Sequence, residues 1–367
     1  LPIYDQLLVF DEAHRMGRAG TKVSEIPSRY SARKKLLLTG TPIRNEPSEL
    51  IPLMKALNIP VKKNPKAFNN VFLQETETPL SLKDRVFRVE PGKVISPKNL
   101  DYLEKLLKGR VSYHETAQDS ADFPKQVHTT KHVEMDKHQE AAYKAILKES
   151  PDLAYKVRYG IPPGAKDASK MNAFLSQARQ VANYPQKYNK NSQTNPKLDT
   201  AVNDILSKIK TNPDYKGVTY SNFLESGLNP IADQLDKNNI TYRKFTGKTS
   251  AKNKLEAINA YNHNKIKQLL ISGAGGEGLD LKNTTNMQIL DPAWNEPKLE
   301  QVMGRVARYK SHTSPDPAKR IVEITKYLST SADPEELSTD MYLQRMASRK
   351  TDLTNKFLET LKAASRP

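Results

Sequence analysis

Two acids and a histidine stand directly behind an apolar run in "LLVFDEAHRM", residues 7–16, where Asp11, Glu12 and His14 end the greasy stretch. If that run is a buried parallel strand, it delivers them to the carboxyl edge of the sheet, where open α/β sheets bind ligands. Asp11 is then placed to hold Mg2+ through water, and Glu12 to orient or deprotonate a water attacking a γ-phosphate. His14 can link these acids to neighbouring groups. An ordinary strand end with two solvated acids is the plain alternative, and the tetrad alone does not separate the two.

Other stretches carry related chemistry. "LLLTGTPIRN", residues 36–45, ends a second apolar run in Thr39, Gly40, Thr41 and Pro42; small hydroxyl residues on a tight turn can bond to the acids and sense a nucleotide. "ISGAGGEGLDL" sets Gly273, Gly275, Gly276 and Gly278 behind a strand, where backbone amides can approach phosphates closely. "QVMGRVAR" holds Arg305 and Arg308, three apart and on one side of a helix, suited to charge developing on a transferring phosphoryl group. A solvated basic face is the alternative there. "YSNF" puts Tyr220 and Ser221 at a strand end, able to donate to phosphate or simply to cap. "FTGKTS", residues 245–250, imitates the end of a phosphate loop, but G-x-x-x-x-G-K-[ST] needs Gly five places before Gly247, and position 242 is Tyr.

These residues need strands to present them. Short apolar runs bounded by turn residues predict strands at "QLLVFDEAH", "KKLLLTGTP", "RVSYHE", "KGVTYSNF", "ITYRKFTG", "KQLLISGAG", "NMQILDP" and "RIVEITKYL". Amphipathic stretches predict helices between them: "PSELIPLMKAL" with Leu50, Leu53, Met54 and Leu57 on one face, "NLDYLEKLLKG" with Asn99 as cap, and "KLDTAVNDILSKIK". A long helix capped by Ser338 or Thr339 follows near the C-terminus. Alternating strands and helices mean an α/β fold. The strand-rich stretches fall at 1–120 and 196–330, separated by a basic, polar segment whose helices are broken at Pro162, Pro163 and Gly164.

Together, "LLVFDEAH", "TGTPIRNEPSELIPLMKAL", "YSNF", "ISGAGGEGLDL" and "QVMGRVAR" resemble, in order, the Walker B box, the coupling motif and the second-lobe motifs of superfamily two helicases and translocases. "TGTPIRNEPSELIPLMKAL" and the Asp-Pro-x-Trp-Asn stretch around Trp294 look most like Swi/Snf-type ATPases. "SYHE", "DFPKQ" and "MYLQRMASRKTDL" are similar to helicases of large DNA viruses. The resemblance implies two RecA-like lobes with parallel sheets: residues 1–120 as the C-terminal part of an incomplete lobe 1, 121–195 as helical connector and linker, 196–330 as lobe 2, and 331–367 as a helical extension. It implies ATP and Mg2+ as cofactors and nucleic acid, DNA before RNA, as partner. Asp11, Glu12, His14, Arg305 and Arg308 take the catalytic positions, with Mg2+ on Asp11. Gln301, Gly278, Asp280, Thr39 and Thr41 fall on the nucleotide. Tyr220, Ser221, Thr246, Gly247, Lys248, Gly275, Gly276 and Trp294 fall on nucleic acid. The family's Walker A loop, which lies upstream of the acid box, has no counterpart in these residues, so this polypeptide is expected not to hydrolyse ATP alone and to be part of a longer ATPase.

Composition narrows the field further. Lys and Arg number 58 against 41 Asp and Glu, a net charge of +17, which suits a polyanionic partner. The absence of Cys excludes disulfides and thiolate metal sites. No run is long and apolar enough for a membrane span and no secretory signal is evident, so an intracellular protein (cytoplasm, nucleus or virion) is expected. Two other readings stay open: a nucleic-acid-binding module that has lost catalysis, and the motor subunit of a restriction-type nuclease.

Overall fold

The computed structural model describes residues 7–17, 21–30, 32–62, 64–79, 81–82, 85, 90–114, 122–164, 167–192, 194–273, 279–292, 297–313, 316 and 319–365. The chain is α/β and divides into two compact units, Leu1–Pro79 with Lys93–Thr116 and Ala347–Pro367, and Leu80–Gly92 with Ala117–Met346.

In the first unit, β1 (Leu7–Phe10) and β2 (Lys34–Leu37) pair in parallel, Leu7 opposite Lys34 and Phe10 opposite Leu37. Helix α1 (Lys22–Arg29) lies between them in sequence, its first turn capped by Thr21, whose side chain accepts from the Ser24 amide. The strand pair is covered on one face only among the described residues. Phe10 and Leu37 pack on the core, while Leu7 and Val9 on the other face are 58% and 47% exposed, so the full burial expected of β1 is not what is seen. Helix α2 (Leu50–Ala56) buries Leu50, Leu53 and Met54 as its spacing predicted. Helix α3 (Pro65–Phe72) leads into β3 (Leu73–Glu77), which pairs antiparallel with β4 (Lys93–Pro97) ahead of α4 (Leu100–Leu107). Asn99 precedes α4 but does not cap it with its side chain; it sits at φ 54° and its amide donates to the Val71 carbonyl at 2.7 Å. "RVSYHE" forms no strand over residues 110–114, and Glu115 lies outside the described residues.

The second unit is built on one six-stranded, wholly parallel sheet. Its strands are β5 (Lys125–Glu134), β6 (Gly217–Ser221), β7 (Tyr242–Phe245), β8 (Gln268–Ser272), β9 (Asn286–Ile289) and β10 (Ile321–Thr330), in the order β5-β10-β9-β6-β8-β7. Every residue of β6, β8 and β9 is buried, as strands covered by helices on both faces must be. Strand β5 falls inside the segment read as connector, where no strand was expected; it pairs with β10 along its full length. Helices α5 (Lys137–Leu147), α6 (Pro151–Tyr159) and α7 (Ala168–Asn183) follow it, then α8 (Pro196–Thr211), α9 (Asn229–Lys237), α10 (Ala251–Asn262) and α11 (Pro297–Val306) around the sheet. The α6–α7 loop is tied by Asp167, which accepts from buried Lys156 and from the Gly164 amide, both at 2.6 Å. The last helix, α12 (Thr339–Ala364), starts at Ser338, whose hydroxyl accepts from the Met341 amide at 3.2 Å. Its Asp340 forms a buried ion pair with Lys197 at 2.6 Å.

Candidate functional site

The acid box sits where the sequence placed it, at the carboxyl end of β1. The ladder between β1 and β2 continues past both strands, with the Leu38 amide on the Phe10 carbonyl and the Ala13 amide on the Leu38 carbonyl, each 2.8 Å. Glu12 breaks the strand by entering the left-handed region at φ 50° and ψ 46°. A non-glycine residue there is strained by roughly 1–3 kcal/mol and is held by its surroundings. Asp11 and Glu12 are exposed, and one Asp11 oxygen accepts from the Glu12 amide at 2.8 Å.

His14 is the junction. Its ring is almost wholly buried; Nδ1 lies 2.8 Å from the Thr39 hydroxyl, 3.4 Å from that of Thr41 and 3.2 Å from a Glu12 carboxylate oxygen, while Nε2 meets the Arg44 guanidinium. A guanidinium donates and cannot accept, so Nε2 must carry its lone pair. The ring is therefore neutral, with its proton on Nδ1 donated towards Thr39 and Glu12. Burial, then the Arg44 charge, hold its pKa below the usual histidine value. Thr39 also accepts from the Thr41 amide at 3.1 Å, which closes the turn. The hydroxyl residues thus bond to the histidine rather than to the acids. Arg44 and Glu49 were not among the expected site residues; Glu49 accepts from the Arg44 and Asn45 amides at 2.6 and 2.9 Å and fixes the loop that carries the guanidinium.

The second unit sorts the remaining residues by exposure. Arg305 lies in the last turn of α11 and donates to the Leu279 carbonyl at 3.5 Å. Arg308 lies beyond the end of that helix, because α11 stops at Val306; the two arginines therefore do not share a helical face as expected. Asp280 brings them into one neighbourhood, 3.8 Å from the Arg308 guanidinium and one residue from Leu279. Gln301 is half-buried on α11. Tyr220 and Ser221 are 1% and 0% exposed, with their hydroxyls given to Asn222 at 3.2 Å and to Asp291 at 2.7 Å, so as placed neither presents a donor to a phosphate. Asn222 is the exposed residue of that strand end. Thr246 is buried within a turn it shares with Thr249, while Gly247 and Lys248 are exposed, and Ser250 then caps α10 by accepting from the Asn253 amide. Gly275, Gly276, Gly278 and Trp294 lie outside the described residues.

Two comparisons with known families match consecutive parts of the chain: an SNF2-related domain over residues 5–187 and a helicase conserved C-terminal domain over residues 198–310. The chain is 33% identical over 371 residues to the "Putative ATP-dependent RNA helicase L538" of Acanthamoeba polyphaga mimivirus, an alignment covering 98% of this chain and 76% of the relative. It is 25% identical to the "CHD3-type chromatin-remodeling factor CHR7" of Arabidopsis thaliana, over 89% of this chain and 26% of that one. Among solved structures, it is similar to the Sulfolobus solfataricus SWI2/SNF2 ATPase core in complex with dsDNA, with 20% identity and a TM-score of 0.44 over 88% of this chain and 64% of that one.

Proposed function

The chain belongs to the SNF2-related family of superfamily two helicase-type ATPases, and on that premise we propose that it serves within an ATP-driven nucleic-acid translocase, with DNA favoured over RNA as the track. The observation that carries the reading is the His14 junction. It ties the exposed Glu12 of one strand end to the hydroxyl turn of the next, so that a change at Glu12, whose amide also holds Asp11, is passed through one buried ring to Thr39, Thr41 and Arg44.

The acid box suits Mg2+ and ATP. Two exposed carboxylates supply hard oxygen ligands, and no cluster of three metal-ligating side chains exists among the described residues, so a divalent ion there would be completed by water and phosphate oxygens. An Mg2+ held by Asp11 would supply positive charge against the triphosphate. Asp11 keeps one carboxylate oxygen beyond its bond to the Glu12 amide for that ion's water shell. Glu12, oriented by the Nδ1 proton of His14, would hold the attacking water; in the second unit, Arg305 and Arg308 have the charge that phosphate oxygens call for. No stretch of these 367 residues matches G-x-x-x-x-G-K-[ST], so in this reading hydrolysis needs a phosphate loop supplied besides them. Residues 1–120 and 196–330 act as the two lobes in this reading, and 121–195 links them.

Nucleic acid is gripped mainly through phosphates. The surplus of 58 basic over 41 acidic residues supports this, with Asn222, Gly247 and Lys248 as exposed contacts at the carboxyl edge of the second sheet. The test is the ATPase rate of the chain joined to a phosphate-loop segment, with duplex DNA, single-stranded DNA and RNA supplied separately. Stimulation by DNA that falls steeply with salt is expected; a rate indifferent to all three overturns the reading, and stimulation by RNA alone overturns the choice of track.

A further inference from the structure

The last turn of α7 reaches two loops that are distant in sequence. Asn183, wholly buried, donates through its side-chain amide to one oxygen of Asp291, itself 1% exposed. The other Asp291 oxygen accepts from the Ser221 hydroxyl at 2.7 Å and the Asn222 amide at 2.6 Å. One turn earlier, Arg179 donates to the Pro292 carbonyl at 2.6 Å and lies over the Phe223 ring at 5.0 Å. Gln180 accepts from the Ser226 hydroxyl at 3.3 Å. Three side chains of one helix therefore hold the segment that leaves β6 and the segment that leaves β9, and these strands are neighbours in the sheet.

The helix end is fixed in turn. The Ala182 carbonyl accepts from the Gln139 amide at 2.9 Å and the Ser329 hydroxyl at 2.8 Å, and the Val181 carbonyl from Gln139 at 3.1 Å, which answers carbonyls that a helix terminus leaves open. A buried carboxylate with three donors is strongly held, but an apolar contact of equal volume would cement two loops as well or better. What the polar arrangement adds is register. It fixes the direction of the Asn222 backbone and leaves the Asn222 side-chain nitrogen without an acceptor among the described residues.

We infer that Arg179 and Asn183 are positioning residues, which set the ends of β6 and β9, Asn183 through Asp291 and Arg179 through Pro292 and Phe223, and so present Asn222 to a nucleic-acid phosphate. The inference rests on the translocase reading for its ligand, though not for its geometry. α7 lies within the stretch matched by the SNF2-related domain, whereas both strands lie within the helicase C-terminal match. All three belong to the second compact unit, so a displacement of α7 reaches both loops together.

The test is a reciprocal swap. Asn183→Asp sets two carboxylates face to face, and adding Asp291→Asn restores a donor and an acceptor at the same places. In this chain without nucleic acid, amide exchange at Asn222 should speed up by about tenfold in N183D, return towards the parent rate in N183D/D291N, and stay unchanged in β8 throughout. In the chain joined to a phosphate-loop segment, N183D should raise the KM for nucleic acid by about tenfold with a smaller change in kcat, and the double variant should recover it. Unaltered exchange at Asn222 overturns the positioning role. Altered and rescued exchange with an unmoved KM overturns the link to nucleic acid. If the parent ATPase ignores nucleic acid altogether, the translocase reading fails, while the exchange measurement still decides the geometry.

Discussion

Replacing His14 with Ala is the most direct perturbation of the acid box. The substitution removes the Nδ1 proton donated to Thr39 at 2.8 Å and the Nε2 lone pair facing Arg44, and it opens a space in a buried position. A neutral hydrogen bond contributes about 1 kcal/mol net, and one involving a charged group about 1.5–3. The sum is a loss of about 2.5–4 kcal/mol, a large part of the ~5–15 kcal/mol that keeps a domain folded. Amide exchange at β1 and β2 reads this as faster local opening, with the second unit's sheet as internal control. The pH dependence follows from the ring's proton count. Because the folded pKa lies below the ordinary value of 6.5, the unfolded chain binds more protons in that region, and stability falls as pH drops through and below 6.5. H14A should lack this acid-sensitive component. Nitrogen-15 spectra of the imidazole supply the decisive observation at neutral pH: the Nδ1–H tautomer is required. An Nε2–H tautomer, a His14 pKa at or above 6.5, or unchanged exchange in H14A would refute the junction.

The other predictions bear on the second unit. Lys216 is buried beside the Tyr261 ring and near Lys267, with Nζ on the Lys282 carbonyl, and burial followed by the Lys267 charge pushes its pKa down from 10.5 to about 8. The unfolded chain therefore holds that proton longer, so stability should rise between pH 8 and 10.5 by at most about 3 kcal/mol, and denaturant melts of K216M should lack the rise. Gly304, in the interior of α11, has open space in front of it among the described residues, so Gly304→Ala should stabilise the unit by up to about 1 kcal/mol in the same melts. Gly217 is the opposite case, because a Cβ there would run into Gln268 and the Tyr215 hydroxyl, and Gly217→Ala should lower the melting temperature markedly. Replacing Lys197 with Met leaves Asp340 buried without its cation, and should cost about 3–5 kcal/mol by the same assay.

How far the sequence reveals such features depends on whether their cause is local. Strands β6, β8 and β9 were legible from their apolar residues, Val218 and Tyr220, Leu269 to Ile271, and Met287 with Ile289, although Thr219, Gln268 and Gln288 are buried among them and bond to one another. β5 escaped because "KQVHTTKHVE" lies at the edge of the sheet, mostly exposed, and its strand character comes from pairing with β10, nearly two hundred residues later. "RVSYHE" is the converse, a run with strand-forming residues but no strand to meet among the described residues. At the site, the order of motifs identified the family, which the matches over residues 5–187 and 198–310 support. The types Asp, Glu, His and Thr also announced a polar cluster at the end of β1. What they could not announce was its wiring. Nothing local says that Thr39 meets a ring nitrogen rather than a carboxylate, or that Arg44 fixes the tautomer; that follows from the register Phe10 opposite Leu37, which brings the two strand ends level. Asn183 and Asp291 show the limit most plainly. They stand 108 residues apart; Asp291 opens the Asp-Pro-x-Trp-Asn stretch but was not singled out there, Asn183 belongs to no motif, and their pairing arises only once the sheet sets β6 beside β9 and α7 closes over both. Candidate site residues in this fold can be read from strand ends, whereas the residues that aim them must be read from burial: a polar side chain that stays inside, with its donors directed at a loop, is the signal to look for.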